Sequence, residues 1–173
     1  MAVDLGALIR DIPDFPIPGI VFKDITPLLL DPRALDAAVA ALAELVSTQV
    51  DFVVAAEARG FILGGALARQ IGAGFVPARK PGKLPGETVS AQYTLEYGIN
   101  ALEIPADALA GGARVLIHDD LLATGGTARA LCDLVVGLGA RIVSCGFLVE
   151  LSFLHGRQRL DPYPVRSLIE YQA

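Results

Sequence analysis

Two carboxylates stand side by side ahead of a glycine-rich run in Val115-Leu116-Ile117-His118-Asp119-Asp120-Leu121-Leu122-Ala123-Thr124-Gly125-Gly126-Thr127. The first part reads as an apolar strand, and the rest as a tight turn that opens a helix. Glycines let the backbone turn and approach a ligand, the first N–H groups of a helix lack partners, and Thr124 and Thr127 add hydroxyl donors. Ala123 to Thr127 can therefore cradle a phosphate monoester without a lysine. An acidic pair beside a phosphate repels it unless the ligand also offers hydroxyl groups or a bridging divalent cation. Asp119 and Asp120 thus point to ribose hydroxyls together with Mg²⁺. The segment lacks the Gly-Lys-Ser/Thr ending of a nucleotide-triphosphate loop and the spacing of a dinucleotide fingerprint.

A second cluster is cationic. Arg79, Lys80 and Lys83 fall within five positions and include two of the three lysines of the chain. Pro81, Gly82, Pro85 and Gly86 exclude regular structure from Arg79 to Glu87, so these cations ride on a mobile loop. Alone, such a loop would be an ordinary solvated one.

The elements that must position these groups alternate in type. Five of the eleven prolines lie between Pro13 and Pro32, which predicts an irregular arm packed on the body. Asp31-Pro32 reads as an N-cap and first-turn proline, and Leu35, Val39, Leu42 and Val46 recur at helical spacing, predicting a helix from about 32 to 48. Phe52 to Ala56 is a short apolar strand, Glu57-Ala58-Arg59-Gly60 a polar turn, and Ile62, Leu63, Ala66, Leu67 and Ile71 mark a helix. A strand at Gly74 to Pro77 leads into the basic loop. Thr88 to Glu96 and Ile99 to Ile104 have strand composition around Tyr97-Gly98, which predicts a hairpin returning from that loop. Arg114 to His118 is a strand, Gly125 to Leu138 a helix ended by Gly139, and Ile142 to Val149 a strand. The result is an α/β fold with a mainly parallel, doubly wound sheet.

Composition narrows the function classes. The 173 residues are 53% hydrophobic and 19% charged, the balance of one folded domain. A net charge of −5 provides no bulk positive field for a nucleic-acid backbone or an anionic bilayer. The longest uncharged stretches, such as Gly60 to Ala68, run nine residues, against the ~20 of a membrane-spanning helix. Two cysteines, Cys132 and Cys145, are too few for a disulfide framework, and the start of the chain lacks a secretory pattern. A cytoplasmic setting, with no membrane or nucleic-acid partner, is expected.

The segment from Val115 to Thr127 closely resembles the 5-phosphoribosyl-1-pyrophosphate (PRPP) motif of type I phosphoribosyltransferases. The likeness extends to Ile12-Pro13-Asp14-Phe15-Pro16, Gly19 to Leu29, Arg59-Gly60-Phe61, Arg79 to Gly86, Tyr93 to Gly98 and Val149-Glu150-Leu151, in an order and spacing similar to the adenine-using branch of that family. The resemblance implies one phosphoribosyltransferase domain over 1–173, with a hood from about 10–30 and a flexible loop over about 79–98. It implies Mg²⁺-dependent transfer of the phosphoribosyl group of PRPP to adenine, giving AMP and pyrophosphate. Ala123, Thr124, Gly125, Gly126 and Thr127 would then hold the 5′-phosphate. Asp119 and Asp120 would face the ribose, with Mg²⁺ nearby on PRPP. Ala58, Arg59 and Gly60 would meet the pyrophosphate at a turn where family members often hold a cis peptide, here Glu57–Ala58, while Arg79, Lys80 and Lys83 close over it. Glu96 would act as acid/base on the imidazole edge of adenine with Tyr97 beside it. Phe22 and Leu151 would clamp the base.

Adenine presents an N6 donor and an N1 acceptor, the reverse of the 6-oxopurines, so one set of protein groups cannot satisfy both. In the family, main-chain groups of Val21 and Lys23 read that edge. The resemblance also implies a homodimer. Three positions depart from the common pattern: Lys23 stands where arginine is frequent, Ala58 where a small hydroxyl residue is, and His118 where an aliphatic residue is. His155, Cys132 and Cys145 have no partner set for zinc or nucleophilic chemistry. Leu151 to Arg159 resembles a closing helix and Leu168 to Tyr171 the last strand. Two other functions compete: transfer to xanthine, hypoxanthine or guanine, and a PRPP-sensing regulator that binds nucleic acid.

Overall fold

The computed structural model describes residues 3–95 and 98–172. The proline-rich arm is more regular than its sequence suggests. β1 (Arg10–Pro13) and β2 (Val21–Asp24) pair antiparallel, and a five-residue helix, α1 (Thr26–Leu30), follows. The prolines fall at the end of β1, in the connecting turn and in the first turn of α1, where no ladder hydrogen bond is lost. In the turn, Gly19, at a φ of +87°, donates its N–H to Asp14 at 2.7 Å.

α2 (Pro32–Glu44) starts where its cap predicts, with Asp31 accepting from the N–H groups of Arg33 at 2.8 Å and Ala34 at 3.3 Å. It stops short of residue 48. Leu45 and Val46 donate to carbonyls three residues back, so the last turn tightens and the helix ends.

The body alternates as expected: β3 (Phe52–Ala56), α3 (Arg59–Ile71), β4 (Gly74–Ala78), the hairpin β5 (Thr88–Leu95) and β6 (Gly98–Pro105), β7 (Arg114–Leu122), α4 (Gly126–Gly137), β8 (Arg141–Leu151) and β9 (Val165–Tyr171). Five strands form an all-parallel sheet in the order β4-β3-β7-β8-β9. Successive strand residues alternate between two apolar cores. Val54, Ile117, Cys145 and Phe147 face α4 and the hairpin, while Val53, Leu116 and Leu148 face α2 and α3. The predicted closing helix is instead two short 3₁₀ turns, Ser152–Leu154 and Gly156–Leu160, because His155 between them adopts a φ of +55° and cannot continue a right-handed helix.

Candidate active site

Strand order reverses between β3 and β7, since β3 leads outward to β4 and β7 leads the other way to β8. A crevice opens at the carboxyl ends of strands at such a switch point. Two adjoining cavities of about 220 and 210 Å³ lie there. The first is lined by Arg59 and the continuous stretch Asp119 to Ala128, the second by residues that include Glu57, Ala58, Lys80, Tyr93 and Thr127. Arg59, Asp119, Asp120 and Thr127 belong to both, so residues far apart in sequence share one space.

The glycine-rich turn is built as a cradle. Gly125 caps α4 at a φ of +81°, and the first N–H groups of that twelve-residue helix open on the first cavity beside Thr124 and Thr127. A β-carbon on Gly125 would stand 2.5 Å from the Gly156 carbonyl oxygen, so the turn also lies against the chain beyond β8.

The acidic pair does not sit in the turn. β7 continues to Leu122, so Asp119 and Asp120 remain strand residues. Asp119 accepts from the Asp120 N–H at 2.9 Å, and its Oδ1 would lie 2.7 Å from a β-carbon on Gly60, which is why α3 opens with glycine there. Burial first, and then the neighbouring Asp120 charge, hold the Asp119 carboxyl well above the usual carboxylate range. The buried Asp120 accepts from Arg59 Nε at 2.5 Å. His118, directly before the pair, is fully buried with Nδ1 2.9 Å from the Gly146 carbonyl oxygen and Nε2 without a partner among the described residues. Burial pushes its pKa down to about 4, against weaker opposing effects of that hydrogen bond and of Asp120.

The basic loop is anchored by a carboxylate that sequence reasoning passed over. Glu57 accepts from the Lys80 N–H at 2.6 Å and from Arg79 Nη2 at 3.0 Å and Nε at 3.3 Å. The Lys80 N–H, ahead of the Arg79 guanidinium, keeps the Glu57 carboxyl below its ordinary value. The Glu57–Ala58 peptide is cis. Arg79 Nη1 also donates to the Lys83 carbonyl at 3.0 Å, while Lys83 lines neither cavity.

The β1–β2 ribbon reaches the site through Phe22. The Arg59 guanidinium stands 4.9 Å from the Phe22 ring centroid, and Phe15 packs edge-on against that ring at 5.2 Å. Lys23 points elsewhere, pairing with Asp11 at 2.7 Å and lying 4.0 Å over the Tyr171 ring. Val21 is exposed, and Leu151 is buried at the end of β8.

A sequence profile described as "Phosphoribosyl transferase domain" matches residues 28–170. A protein of Thermotoga sp. (strain RQ2) named adenine phosphoribosyltransferase is 58% identical over 170 residues, covering 98% of this chain and 100% of that one. The chain belongs to the adenine phosphoribosyltransferase family. The crystal structure of adenine phosphoribosyltransferase from Thermoanaerobacter pseudethanolicus superposes with a TM-score of 0.95 at 53% identity, covering 97% of this chain and 98% of that one. The Saccharomyces cerevisiae adenine phosphoribosyltransferase, solved with an imino-altritol bisphosphate and adenine, gives 0.89 at 41% identity, with 94% of each chain covered.

As a member of the adenine phosphoribosyltransferase family, the chain brings its expected site residues together unevenly. Ala58, Arg59, Lys80, Asp119, Asp120 and Ala123 to Thr127 line the paired cavities, and Phe22 adjoins them through Arg59. Glu96 and Tyr97 lie outside the described residues. The contacts of Glu57, Gly156, Glu150 and Arg157 could not be read from the segments that carry them, because their partners are set by the tertiary fold.

Proposed function

We propose that the chain is an adenine phosphoribosyltransferase of purine salvage, transferring the 5-phosphoribosyl group of PRPP to adenine. The observation that carries this reading is the shared space between the Ala123–Thr127 cradle, the Asp119–Asp120 pair and the Arg59–Phe22 stack. In the reaction the bond from ribose C1 to N9 of adenine forms, the bond from C1 to pyrophosphate oxygen breaks, and the imidazole proton of adenine is given up.

The cradle holds the 5′-phosphate through the α4 N–H groups and threonine hydroxyls. Asp119 and Asp120 bind ribose hydroxyls, and their negative charge favours the oxocarbenium character that develops at C1. The Ala58–Gly60 turn and Lys80 receive the pyrophosphate, with Arg79 and Lys83 on the loop above it. Glu96 takes the proton from the imidazole edge, with Tyr97 beside it. Phe22 and Leu151 bound the base, and main-chain groups of Val21 and Lys23 select its Watson–Crick edge.

Mg²⁺ fits this donor set. Among the described residues no group of three or more His, Cys, Asp or Glu forms a metal cage, whereas Mg²⁺ characteristically takes one or two carboxylates together with substrate oxygens and water. Asp119 and Asp120 would be the carboxylates nearest PRPP-bound Mg²⁺, which would supply charge neutralisation of the leaving pyrophosphate. We further propose one catalytic domain over 1–173, in which the arm of about 10–30 and the loop of about 79–98 serve one site, and a cytoplasmic homodimer. No helix among the described residues is long and apolar enough to cross a membrane.

The test is AMP and pyrophosphate formation from PRPP, Mg²⁺ and adenine, with hypoxanthine, guanine and xanthine alongside. Turnover with adenine alone, reduced ~10²- to 10⁴-fold in Glu96→Gln, supports the reading. Turnover only with another purine moves the assignment to that base, and PRPP binding without turnover moves it to a sensor.

A further inference from the structure

Gly156 is buried and begins the second 3₁₀ turn. A β-carbon on it would overlap the Ala123 carbonyl oxygen and lie 2.9 Å from the Gly125 nitrogen, while one on Gly125 would lie 2.5 Å from the Gly156 carbonyl oxygen. The cradle therefore rests backbone to backbone on this turn, and the height of the turn sets where the cradle N–H groups stand.

The neighbouring Arg157 is clamped to the sheet. Its Nε and Nη2 donate to the two carboxylate oxygens of Glu150 at 3.0 and 2.5 Å, and its Nη1 donates to the Val165 carbonyl at 2.9 Å. Ser167 Oγ donates to Glu150 at 2.6 Å, and Arg157 also reaches Glu170 at 3.3 Å. Glu150 is 3% exposed, so its charge depends on this set of donors. From the other side, Arg129 of α4 donates to the Arg159 and Asp161 carbonyls at 3.5 Å each, and Leu160 is fully buried in the core beneath α4. The turn is held between β8–β9 and the helix whose first residues form the cradle.

We infer that Glu150 and Arg157 are positioning residues for the 5′-phosphate half of PRPP, acting through Gly156 on Ala123–Thr127, an assignment that rests on reading that loop as the phosphate site. Two effects of removing the Glu150 charge oppose each other. Coulomb's law alone makes a nearby anion site bind more tightly when a negative charge is lost. Loss of the clamp lets the turn and cradle shift, and small misplacements of binding groups are costly. The sign of the change separates the two.

The experiment measures ribose 5-phosphate binding by calorimetry, with KM for PRPP and for adenine, in the wild type and in Glu150→Gln, Arg157→Lys and Gly156→Ala. Asp51→Asn breaks the Asp51–Arg114 ion pair, set at the start of β7 and apart from the cradle, and serves as a control for general stability loss. Expected are about three- to tenfold weaker ribose 5-phosphate binding and a matching rise in KM for PRPP in Glu150→Gln and Arg157→Lys. KM for adenine should stay within about twofold, the Asp51→Asn control should bind ribose 5-phosphate like the wild type, and Gly156→Ala should lose more wherever it folds. Unchanged or tighter ribose 5-phosphate binding in Glu150→Gln and Arg157→Lys, or a uniform rise in both KM values, overturns the assignment. If the wild type itself does not bind ribose 5-phosphate, the phosphate reading of the cradle fails and this assignment falls with it.

Discussion

Arg59 donates its Nε proton to Asp120 at 2.5 Å, which ties the start of α3 to the end of β7 across the point where strand order reverses. The same guanidinium lies 4.9 Å from the Phe22 ring centroid, so one side chain joins the β1–β2 ribbon, the acidic pair and the crevice. Lysine carries the charge without the planar fork and cannot serve both contacts at once. Arg59→Lys should lower kcat/KM by about 10- to 100-fold, ~1.4–2.7 kcal/mol, while Phe22→Leu should act mainly on KM for adenine. Initial rates with each substrate varied in turn check both. An Arg59→Lys variant with wild-type kinetics would remove the bridge from the mechanism.

Asp119, proposed above to bind the ribose, should affect turnover and stability in opposite senses. Its folded-state pKa is raised by burial and then by Asp120, so for this group the stability contribution is present at low pH and lost as pH rises from the ordinary aspartate value through the raised one. Replacing the carboxylate by an amide keeps an oxygen to accept from the Asp120 N–H and removes the charge conflict. Asp119→Asn should therefore raise the melting temperature of the ligand-free protein at neutral pH by a few degrees. It should also lower kcat by about 10²-fold, with a smaller effect on adenine binding. Calorimetric melting with steady-state kinetics tests the pair of effects, and a fall in both Tm and turnover would contradict it.

His118 gives the ligand-free fold a pH dependence with a definite sign. Its pKa falls from 6.5 unfolded to about 4 folded because burial disfavours the imidazolium. Its contribution is thus fully present above pH 6.5 and is lost as pH falls towards 4, where the unfolded chain binds a proton that the fold refuses. The span corresponds to ~3 kcal/mol. His118→Leu should flatten this part of the curve, so the wild type minus variant difference in unfolding free energy should shrink between pH 7 and pH 4. A constant difference across that range would refute the assignment.

The parallel sheet was legible because its strands are short apolar runs separated by helical periodicity, and burial on both faces leaves that pattern intact in Phe52–Ala56 and Arg114–His118. The glycine turn into α4 was legible because the backbone freedom of glycine leaves a local pattern. Other features depend on tertiary partners. Asp119 and Asp120 read as turn residues, yet pairing with β8 keeps them in the strand. The β1–β2 ribbon was hidden by prolines that occupy only its end and turn. Glu57 finds Arg79 22 residues away, and Glu150, one residue before the end of β8, needs Arg157 and Ser167 from beyond that strand, so neither pairing can be read from the local run in which the carboxylate stands.

Glu57 fixes the foot of the basic loop by accepting from the Lys80 N–H and the Arg79 guanidinium. Gly82 donates to Glu103 at 3.1 Å further along the same loop, so two carboxylates order a segment rich in proline and glycine. Because the Glu57 pKa is lowered, chiefly by the Lys80 N–H, this anchor stays charged throughout the neutral range and should not vary with pH there. Glu57→Gln removes the charge that holds Arg79 but leaves an amide oxygen for the Lys80 N–H. The loop should then open more often, and trypsin, which cuts after Lys83 but not at Lys80-Pro81, should cleave it about three- to tenfold faster. Timed digestion followed by mass spectrometry reads the cleavage at Lys83-Leu84, and addition of PRPP with Mg²⁺ should restore protection if the loop cations close over pyrophosphate. Equal cleavage rates in variant and wild type would show that Glu57 does not restrain the loop.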